Sequence, residues 1–251
     1  MDVTHDAALG GRLHLVQPRR GHRFGHDAIL LAAAVAARAG DRVVEFGAGV
    51  GAAGLALACR VGGIALTLIE IDPALSQLAA GNISANGFDG RARAVTLDVT
   101  AAPEDFDRAG LPAGSADHVM MNPPFNPARL QPSPDAMRRR AHAAGRETLP
   151  TWIASAARLL RRGGILTLIS RADDLDAILA HLRDEFGAAT ILPILSVEGE
   201  PPIRVICRAV SGDRSVPTIL PAFVLNDRKR NPTREAEAVL RHAAPLPLAH
   251  Q

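Results

Sequence analysis

The sequence feature that most constrains the fold is a strand, glycine loop, helix and second strand within residues 41–72. A short β-branched run from Arg42 to Phe46 stops at the loop Gly47-Ala48-Gly49-Val50-Gly51, and a helical pattern rich in alanine and leucine follows. The second strand ends at Glu70. Glycines at alternate positions permit a sharp turn and leave backbone N–H groups open to a ligand at the start of the helix. The pattern predicts an open α/β sheet with a nucleotide-type site at the carboxyl ends of its parallel strands.

The identity of that nucleotide is left open by the glycines. Gly49-x-Gly51-x-x-Gly54 and Gly47-x-Gly49-x-x-Ala52 both satisfy the dinucleotide fingerprint, and Glu70 follows at about the distance expected for a ribose contact. Glu45 indicates a different ligand, because it ends the first strand beside the loop, where a carboxylate suits a cation rather than a pyrophosphate. S-adenosylmethionine carries an ammonium and a sulfonium. A nicotinamide cofactor and S-adenosylmethionine therefore both stay open at this point.

Length and composition favour one α/β domain with modest additions. The 251 residues are 47% hydrophobic, which is ample for a core. The N-terminus shows no signal sequence and the apolar run 28–37 is too short to span a bilayer, so we expect a soluble, cytoplasmic protein. Cys59 and Cys207 form no metal-binding or disulfide pattern, so no metal is expected. The net charge of +2, with Lys229 as the only lysine, does not by itself indicate a nucleic-acid partner.

A planar amino group is the substrate feature that the next motif predicts. A fourth strand, Asp117 to Met121, runs into Asn122-Pro123-Pro124-Phe125. The two prolines keep the backbone extended and remove two N–H donors, so local carbonyl groups face outward as acceptors. The Asn122 side-chain carbonyl and a proline carbonyl can together accept both hydrogens of an amino group, and Phe125 offers a face for stacking. This is the most specific motif in the chain.

Three further segments have a functional and a purely structural interpretation. Asp98 ends the predicted strand 91–97 and could accept a hydrogen bond from an adenine amino group, or could cap the following loop. The basic loop 18–25 contains Arg23 and Phe24, which could contact a substrate. The loop 127–148 has five arginines against two carboxylates, among them Arg138, Arg139 and Arg140, and could bind a flipped nucleotide. Both loops could equally be solvated surface.

Taken together, these motifs resemble those of class I S-adenosylmethionine-dependent methyltransferases that modify planar nitrogens. The stretch Gln17 to Leu31 is similar to that of the bacterial tRNA(Val) adenine-N6 methyltransferases. The resemblance implies that Glu70 holds the cofactor ribose, that Asp98 holds the cofactor adenine, and that the 122–125 motif holds the target base. It implies a cofactor site made of the following residues: Glu45, Gly47, Ala48, Gly49, Gly51, Glu70, Ile71, Asp98 and Asn122. It also implies a tRNA partner, and it leaves monomer or homodimer open.

The resemblance and the order of elements imply the same fold. We expect a Rossmann-like α/β methyltransferase fold, with a seven-stranded, mostly parallel sheet, helices on both faces and a C-terminal antiparallel hairpin of residues 190–197 and 203–210. The predicted divisions are 1–40 for a strand, basic loop and helix packed on the core, 41–210 for the catalytic core, and 211–251 for a C-terminal extension.

Several alternative functions use the same residues. A glutamine side-chain amide also presents a planar NH2, so protein glutamine N5-methylation is open, although only 42 residues precede Val43, too few for the helical domain of those enzymes. Ribosomal RNA guanine N2-methylation and small-molecule methylation are further alternatives. A nicotinamide oxidoreductase accounts for the glycines but leaves the 122–125 motif unexplained. A non-catalytic cofactor-binding module is disfavoured by the presence of Asn122.

Overall fold

The fold is built on one mixed β-sheet, with a separate two-stranded hairpin at the N-terminus. A computed structural model of the chain describes residues 2–21, 23–124 and 145–250, without the side chains of residues 145–148. Its strands are β1 (Val3–Ala8), β2 (Leu13–Pro18), β3 (Arg42–Phe46), β4 (Ala65–Glu70), β5 (Ala92–Thr96), β6 (Ala116–Met121), β7 (Leu160–Arg171), β8 (Phe186–Val197), β9 (Pro202–Ser211), β10 (Thr218–Ile219) and β11 (Phe223–Asn226). The strand order of the large sheet is β10-β8-β9-β7-β6-β3-β4-β5, and β11 also pairs with β8.

The direction of the strands explains where a ligand can bind. Strands β3 to β7 are mutually parallel, and β9 lies antiparallel between β7 and β8. From β3 the chain adds β4 and β5 on one side of that strand, and it then adds β6 and β7 on the other side. The direction of strand addition therefore reverses between β3 and β6, and a crevice forms at the carboxyl ends of these two strands. The seven strands β3 to β9 confirm the predicted fold, and β10 and β11 extend it with short parallel pairings to β8.

Helices cover both faces of this sheet, as predicted. They are α1 (His26–Ala34), α2 (Ala52–Arg60), α3 (Pro73–Ala85), α4 (Pro103–Arg108), α5 (Gly145–Leu159), α6 (Leu175–Leu182) and α7 (Arg234–His242). One core contains buried side chains of α1, α2, α3 and α7 together with the hairpin. The other contains those of α4, α5 and α6, with the rings of Phe106 and Trp152 both against Phe46. In the described ranges no helix has the length and apolar character that crossing a membrane requires.

The ends of the helices beside the crevice follow from specific hydrogen bonds. The Asp72 carboxylate accepts from the backbone N–H of Ala74 at 2.8 Å, and Pro73 occupies the first turn, so α3 begins where the sequence predicts. The sequence pattern of residues 26–38 predicts one continuous helix, but α1 ends at Ala34. The Arg60 guanidinium, at the end of α2, donates to the carbonyl of Ala32 and to that of the extended Val35. It thereby supplies hydrogen bonds to carbonyl groups at the end of α1 that the helix itself leaves unpaired.

The N-terminal hairpin was only half predicted, because β1 was not recognised. Strand β1 pairs antiparallel with β2 in register from Val3 opposite Pro18 to Ala8 opposite Leu13. Two asparagines of α3 bind the backbone of β2. Asn82, which is fully buried, accepts from the Val16 N–H at 2.8 Å and donates to the carbonyls of Val16 and Val50, both at 3.0 Å. Asn82 therefore joins the hairpin to the glycine loop.

Replacing Asn82 with alanine is expected to lower the free energy of unfolding by about 3 kcal/mol, because three backbone groups lose their partner in a buried place. Asn86→Ala is the matched control, since Asn86 makes the same paired bonds to His14 at the exposed end of the hairpin. We expect a loss of about 1 kcal/mol there. Urea denaturation measures both. Equal losses would contradict the buried bridging role of Asn82.

Candidate active site

A cleft of about 370 Å³ opens at the carboxyl ends of β3 and β6. It is lined by the glycine loop and Glu45, by the segment from Arg23 to Ala28, and by Asn122. The cleft is also lined by Leu75 of α3 and by Arg204 of β9. The structure therefore brings the predicted glycine loop, Glu45, Asn122, Arg23 and Phe24 to one place.

The glycine loop has a backbone that only glycine adopts easily. Gly47, Gly49 and Gly51 all have positive φ values, of 63°, 57° and 85°. The Ala48 N–H donates to the Ile69 carbonyl at 2.9 Å, which ties the loop to β4. A Cβ atom on Gly47 would lie 2.6 Å from Trp152 Cη2, whereas one on Gly49 would have no atom within 4 Å. Gly47 is thus required by packing, while Gly49 leaves the backbone open toward the cleft.

This difference predicts different results for two alanine variants of the loop. Gly47→Ala should lower the free energy of unfolding by about 3 kcal/mol, because the methyl group overlaps a buried indole and the backbone is left-handed. Gly49→Ala has the same backbone strain without the overlap, so we expect a loss of about 1 kcal/mol and a large loss of ligand affinity. Thermal unfolding and ligand titration measure the two effects. An equally destabilised Gly49→Ala protein would contradict this account.

Glu45 is the carboxylate that faces the cleft. Its side chain is buried, and Oε2 accepts from the Gly54 N–H at 2.7 Å. Burial raises the pKa of Glu45 to about 8, although the Gly54 hydrogen bond opposes the change, and the nearby charge of Glu70 adds to it. No ion pair to Glu45 occurs among the residues that the structure describes. A cationic ligand in the cleft would favour the ionised form of Glu45 and pair with it.

Glu70 and Ile71 end β4 beside the loop but do not line the cleft. The Glu70 carboxylate is buried and accepts from the Gly49 N–H at 2.7 Å and from the Asp72 N–H at 3.0 Å. Each oxygen retains a lone pair, so the carboxylate can also accept from a ligand hydroxyl. Ile71 is 62% exposed, which is unusual for its size. The contacts show how Glu70 shapes the loop, and its predicted ribose contact stays a prediction.

Asp98 occupies the carboxyl end of β5, as predicted, and its contacts are local. Its Oδ1 accepts from the N–H of Thr100 at 2.8 Å and from the hydroxyl of the same residue at 2.7 Å. This is the loop-capping arrangement that the sequence left open. The alternative role, a contact with a cofactor adenine, stays a prediction.

Asn122 lines the cleft and has a buried side-chain acceptor without a partner in the described chain. The residue follows β6 directly, and its side-chain Oδ1 is buried with no hydrogen-bond partner among the described residues. Pro123 is buried and Pro124 is exposed. Burying an amide oxygen without a partner costs roughly 1–3 kcal/mol, so this atom is suited to a donor that arrives with a ligand. Phe125, Arg138, Arg139 and Arg140 lie outside the described residues.

Arg23 lines the cleft but is also held by the hairpin. Its guanidinium donates to Asp6 Oδ2 at 3.0 Å and to the Thr4 hydroxyl at 2.8 Å. Hydrogen bonds from Gln17 and Thr4, with the charge of Arg23, keep the pKa of Asp6 below its ordinary value. The Phe24 N–H donates to the Gln17 side chain at 3.1 Å. These contacts fix the wall that carries Arg23 and Phe24.

One ion pair at the cleft was missed by the sequence interpretation. Arg204 Nε donates to Asp27 Oδ2 at 2.9 Å and joins the start of α1 to the hairpin of β8 and β9. The sequence around Asp27 indicates only an acid in the first turn of a helix, and Arg204 carries no local signal. Only the chain topology brings these distant residues together.

No group of three histidine, cysteine or acidic side chains that could hold a metal occurs in the part of the chain described.

Comparisons with known proteins agree with this geometry. Residues 23–193 match the family described as "Methyltransferase small domain". The chain is 28% identical to a tRNA1(Val) (adenine(37)-N6)-methyltransferase of Tolumonas auensis over 67% of this chain and 68% of that protein. It is 29% identical to the protein of the same name from Shewanella amazonensis, over 75% and 78% of the two chains. A solved structure named as a predicted O-methyltransferase from Agrobacterium tumefaciens is 28% identical, with a TM-score of 0.74, over 88% of this chain and 98% of that one.

Proposed function

The chain belongs to the methyltransferase small domain family and is an S-adenosylmethionine-dependent methyltransferase, and we propose that it methylates the exocyclic N6 amino group of adenine in tRNA. The observation that carries the proposal is that Asn122 lines the cleft and that its buried Oδ1 has no hydrogen-bond partner among the described residues. An amino group is a hydrogen-bond donor, so it is the acceptor substrate that satisfies this atom.

The residues of the cleft fit the cofactor. Glu45 is a buried carboxylate without an ion-pair partner in the described chain, which suits a cationic ligand. The open backbone at Gly49 allows close approach, and the Glu70 carboxylate at the next strand end can accept a ribose hydroxyl. The exposed Ile71 offers an apolar surface for a planar base. We assign the cofactor site to these residues, together with Gly47, Ala48, Gly51, Asp98 and Asn122.

The bound cofactor supplies an electrophilic methyl group, and the chain activates and positions the amino nitrogen that accepts it. The lone pair of an aryl amine is delocalised into the ring, which makes the nitrogen a poor nucleophile. Asn122 Oδ1 and a proline carbonyl accept the two hydrogens and favour a tetrahedral nitrogen whose lone pair is free. The same hydrogen bonds hold that nitrogen in line for transfer. After transfer the nitrogen loses an acidic proton to Asn122 or to water, so no separate general base is needed.

The choice of tRNA as acceptor is supported by two relatives and by the cleft itself. Both curated relatives from Tolumonas and Shewanella are named as tRNA adenine-N6 methyltransferases. Phe24 in the lining of the cleft offers a ring for stacking, and the ion-paired Arg23 and Arg204 beside it offer further N–H donors to an RNA strand. The Agrobacterium relative is named as an O-methyltransferase, which implies a hydroxyl acceptor. A hydroxyl group has one hydrogen to donate, whereas the 122–124 segment is suited to accept the two hydrogens of an amino group.

An acceptor panel tests the substrate class. The protein is incubated with labelled S-adenosylmethionine and, separately, with unmodified tRNA, ribosomal RNA, a protein with an exposed glutamine, and a catechol. We expect label in tRNA above all other acceptors. Transfer chiefly to protein or to the catechol would overturn the tRNA proposal while leaving the methyltransferase assignment intact. Transfer chiefly to ribosomal RNA would also overturn the tRNA proposal, and it would favour guanine N2-methylation instead.

A further inference from the structure

A second cavity, of about 590 Å³, adjoins the cleft at the segment that carries Phe24. Its walls are the N-terminal hairpin, the start of α1, the end of β11 and the helix α7. Phe24, Gly25 and His26 line both this cavity and the cleft. We call this second cavity the flanking groove. These three residues therefore form a boundary that the flanking groove shares with the cleft.

The C-terminal extension is positioned firmly enough to form a binding wall. Thr233 caps α7 by accepting from the Ala236 N–H at 3.0 Å, and the Thr233 hydroxyl donates to the Val224 carbonyl at 2.8 Å. Where α7 crosses the hairpin, a Cβ atom on Gly10 would lie only 2.9 Å from the Arg241 carbonyl oxygen. The buried side chains of Ala236 and Val239 hold the helix on the core. The groove is thus part of the folded protein.

The lining of the flanking groove combines the chemical groups that recognise a nucleotide. Phe24 and Leu240 provide a half-buried aromatic and apolar surface, suited to a base. Asn226 and His26 add polar groups to the lining, and the Asn226 side-chain nitrogen also donates to the Ser196 carbonyl at 2.8 Å. Arg241, which is exposed in the last turn of α7, provides a cation for a phosphate. The volume falls within the range of about 300–1,000 Å³ that is typical of ligand pockets.

The charges around the flanking groove are mixed but favour an anionic backbone on one side. Glu237 lines the groove one turn before Arg241 and can accept from a base amino group. The turn after β11 carries Arg228, Lys229 and Arg230. Arg228 pairs with Glu198 at 3.4 Å, and Arg230 pairs with Glu200 at 3.6 Å. These surface pairs are exposed and weak, so both arginines can turn to a phosphate at little cost.

We propose that the flanking groove binds the nucleotide next to the target adenine in the RNA strand. This inference rests on the proposed function, because it takes the cleft to hold the target base. A strand that passes from the cleft into the groove places one base on each side of the wall formed by Phe24 to His26. The wall then separates the target base from its neighbour, which is the arrangement that a base taken out of its stack requires.

Arg241→Ala tests the proposal, with Arg234→Ala as the matched control on the same helix. Both arginines are exposed on α7, but only Arg241 lines the groove. The substrate is a synthetic RNA hairpin with the target adenosine unpaired in its loop. We expect Arg241→Ala to raise the KM for the hairpin about five- to tenfold and to reduce its dependence on salt, while Arg234→Ala changes it less than about twofold. The dissociation constant for S-adenosylmethionine should stay the same in both variants.

A hairpin with the fluorescent base 2-aminopurine beside the target reports on the groove directly. We expect its fluorescence to change on binding to the wild-type protein and to change less with Arg241→Ala. If the hairpin gains N6-methyladenine and the two variants have the same KM and fluorescence, the flanking groove proposal is wrong while the proposed function stands. If the wild-type protein methylates no RNA, the proposed function fails first and the flanking groove proposal falls with it.

Discussion

Replacing Asn122 with leucine is expected to lower kcat by about 10²–10³-fold and to lower the affinity for S-adenosylmethionine far less. Leucine has a similar shape but no acceptor, so the amino group of the substrate loses the hydrogen bond that makes its nitrogen nucleophilic. The unpaired Oδ1 of Asn122 makes no hydrogen bond to the described protein, so its removal should not weaken the fold. Single-turnover kinetics and cofactor titration, with urea denaturation to check folding, separate the three effects.

Asn122→Asp is the control for this variant. A carboxylate keeps the acceptor oxygens in the same place, so its loss of kcat should be much smaller than that of Asn122→Leu. The hydrogen-bonding role of Asn122 would be contradicted by equal losses in the two variants. It would also be contradicted by a leucine variant whose cofactor affinity falls as steeply as its kcat.

Replacing Glu45 with glutamine is expected to change stability and cofactor binding in opposite directions. The pKa of Glu45 rises from its ordinary value of 4.5 to about 8 on folding. Between these pH values the unfolded chain has lost a proton that the folded chain retains, so stability falls as the pH rises. Glutamine carries no proton to lose, so the free energy of unfolding of the variant should exceed that of the wild type by a margin that grows to about 2 kcal/mol or more by pH 8.

The same substitution removes the charge that would pair with the cofactor. In the wild type, cofactor affinity should increase between pH 6 and pH 7.5, by at most about tenfold per unit, because binding requires Glu45 to lose its proton. In Glu45→Gln the affinity should be weaker, by about 10–100-fold at pH 8, and nearly independent of pH. Calorimetric titration across this pH range measures both trends.

A neutral ligand is the control for the charge effect. Methylthioadenosine shares the nucleoside of the cofactor but lacks its ammonium and its sulfonium, so Glu45→Gln should bind it about as well as the wild type does. If both ligands bind more weakly by the same factor, the substitution has disturbed the cleft. Glu45 would then have no specific role toward a cation.

Much of the site could be predicted because its signals are local. The glycine spacing dictates the loop between β3 and α2, the acid and proline at Asp72 and Pro73 dictate the start of α3, and Asn122 follows its strand directly. The fold class follows from the alternation of such segments. These features depend on neighbours in sequence, so a single sequence is enough to recognise them.

The rest depends on contacts between distant segments. Strand β1 alternates the partly buried Thr4 and Asp6 with the exposed His5 and Ala7, and its pairing with β2 was not evident from its polar composition. The ion pair of Asp27 with Arg204 joins residues far apart in sequence. The unusual pKa of Glu45 arises from burial, which is a property of the assembled core. The flanking groove likewise exists only because α7 returns to the N-terminal hairpin.

The most direct test of the central claim is the identity of the methylated nucleoside. Unmodified tRNA is treated with the protein and S-adenosylmethionine, digested to nucleosides and examined by mass spectrometry against synthetic standards, with Asn122→Leu in parallel. The account predicts N6-methyladenosine with the wild type and almost none with the variant. A different product, such as N2-methylguanosine or a ribose-methylated nucleoside, or an equal yield from the variant, would contradict it.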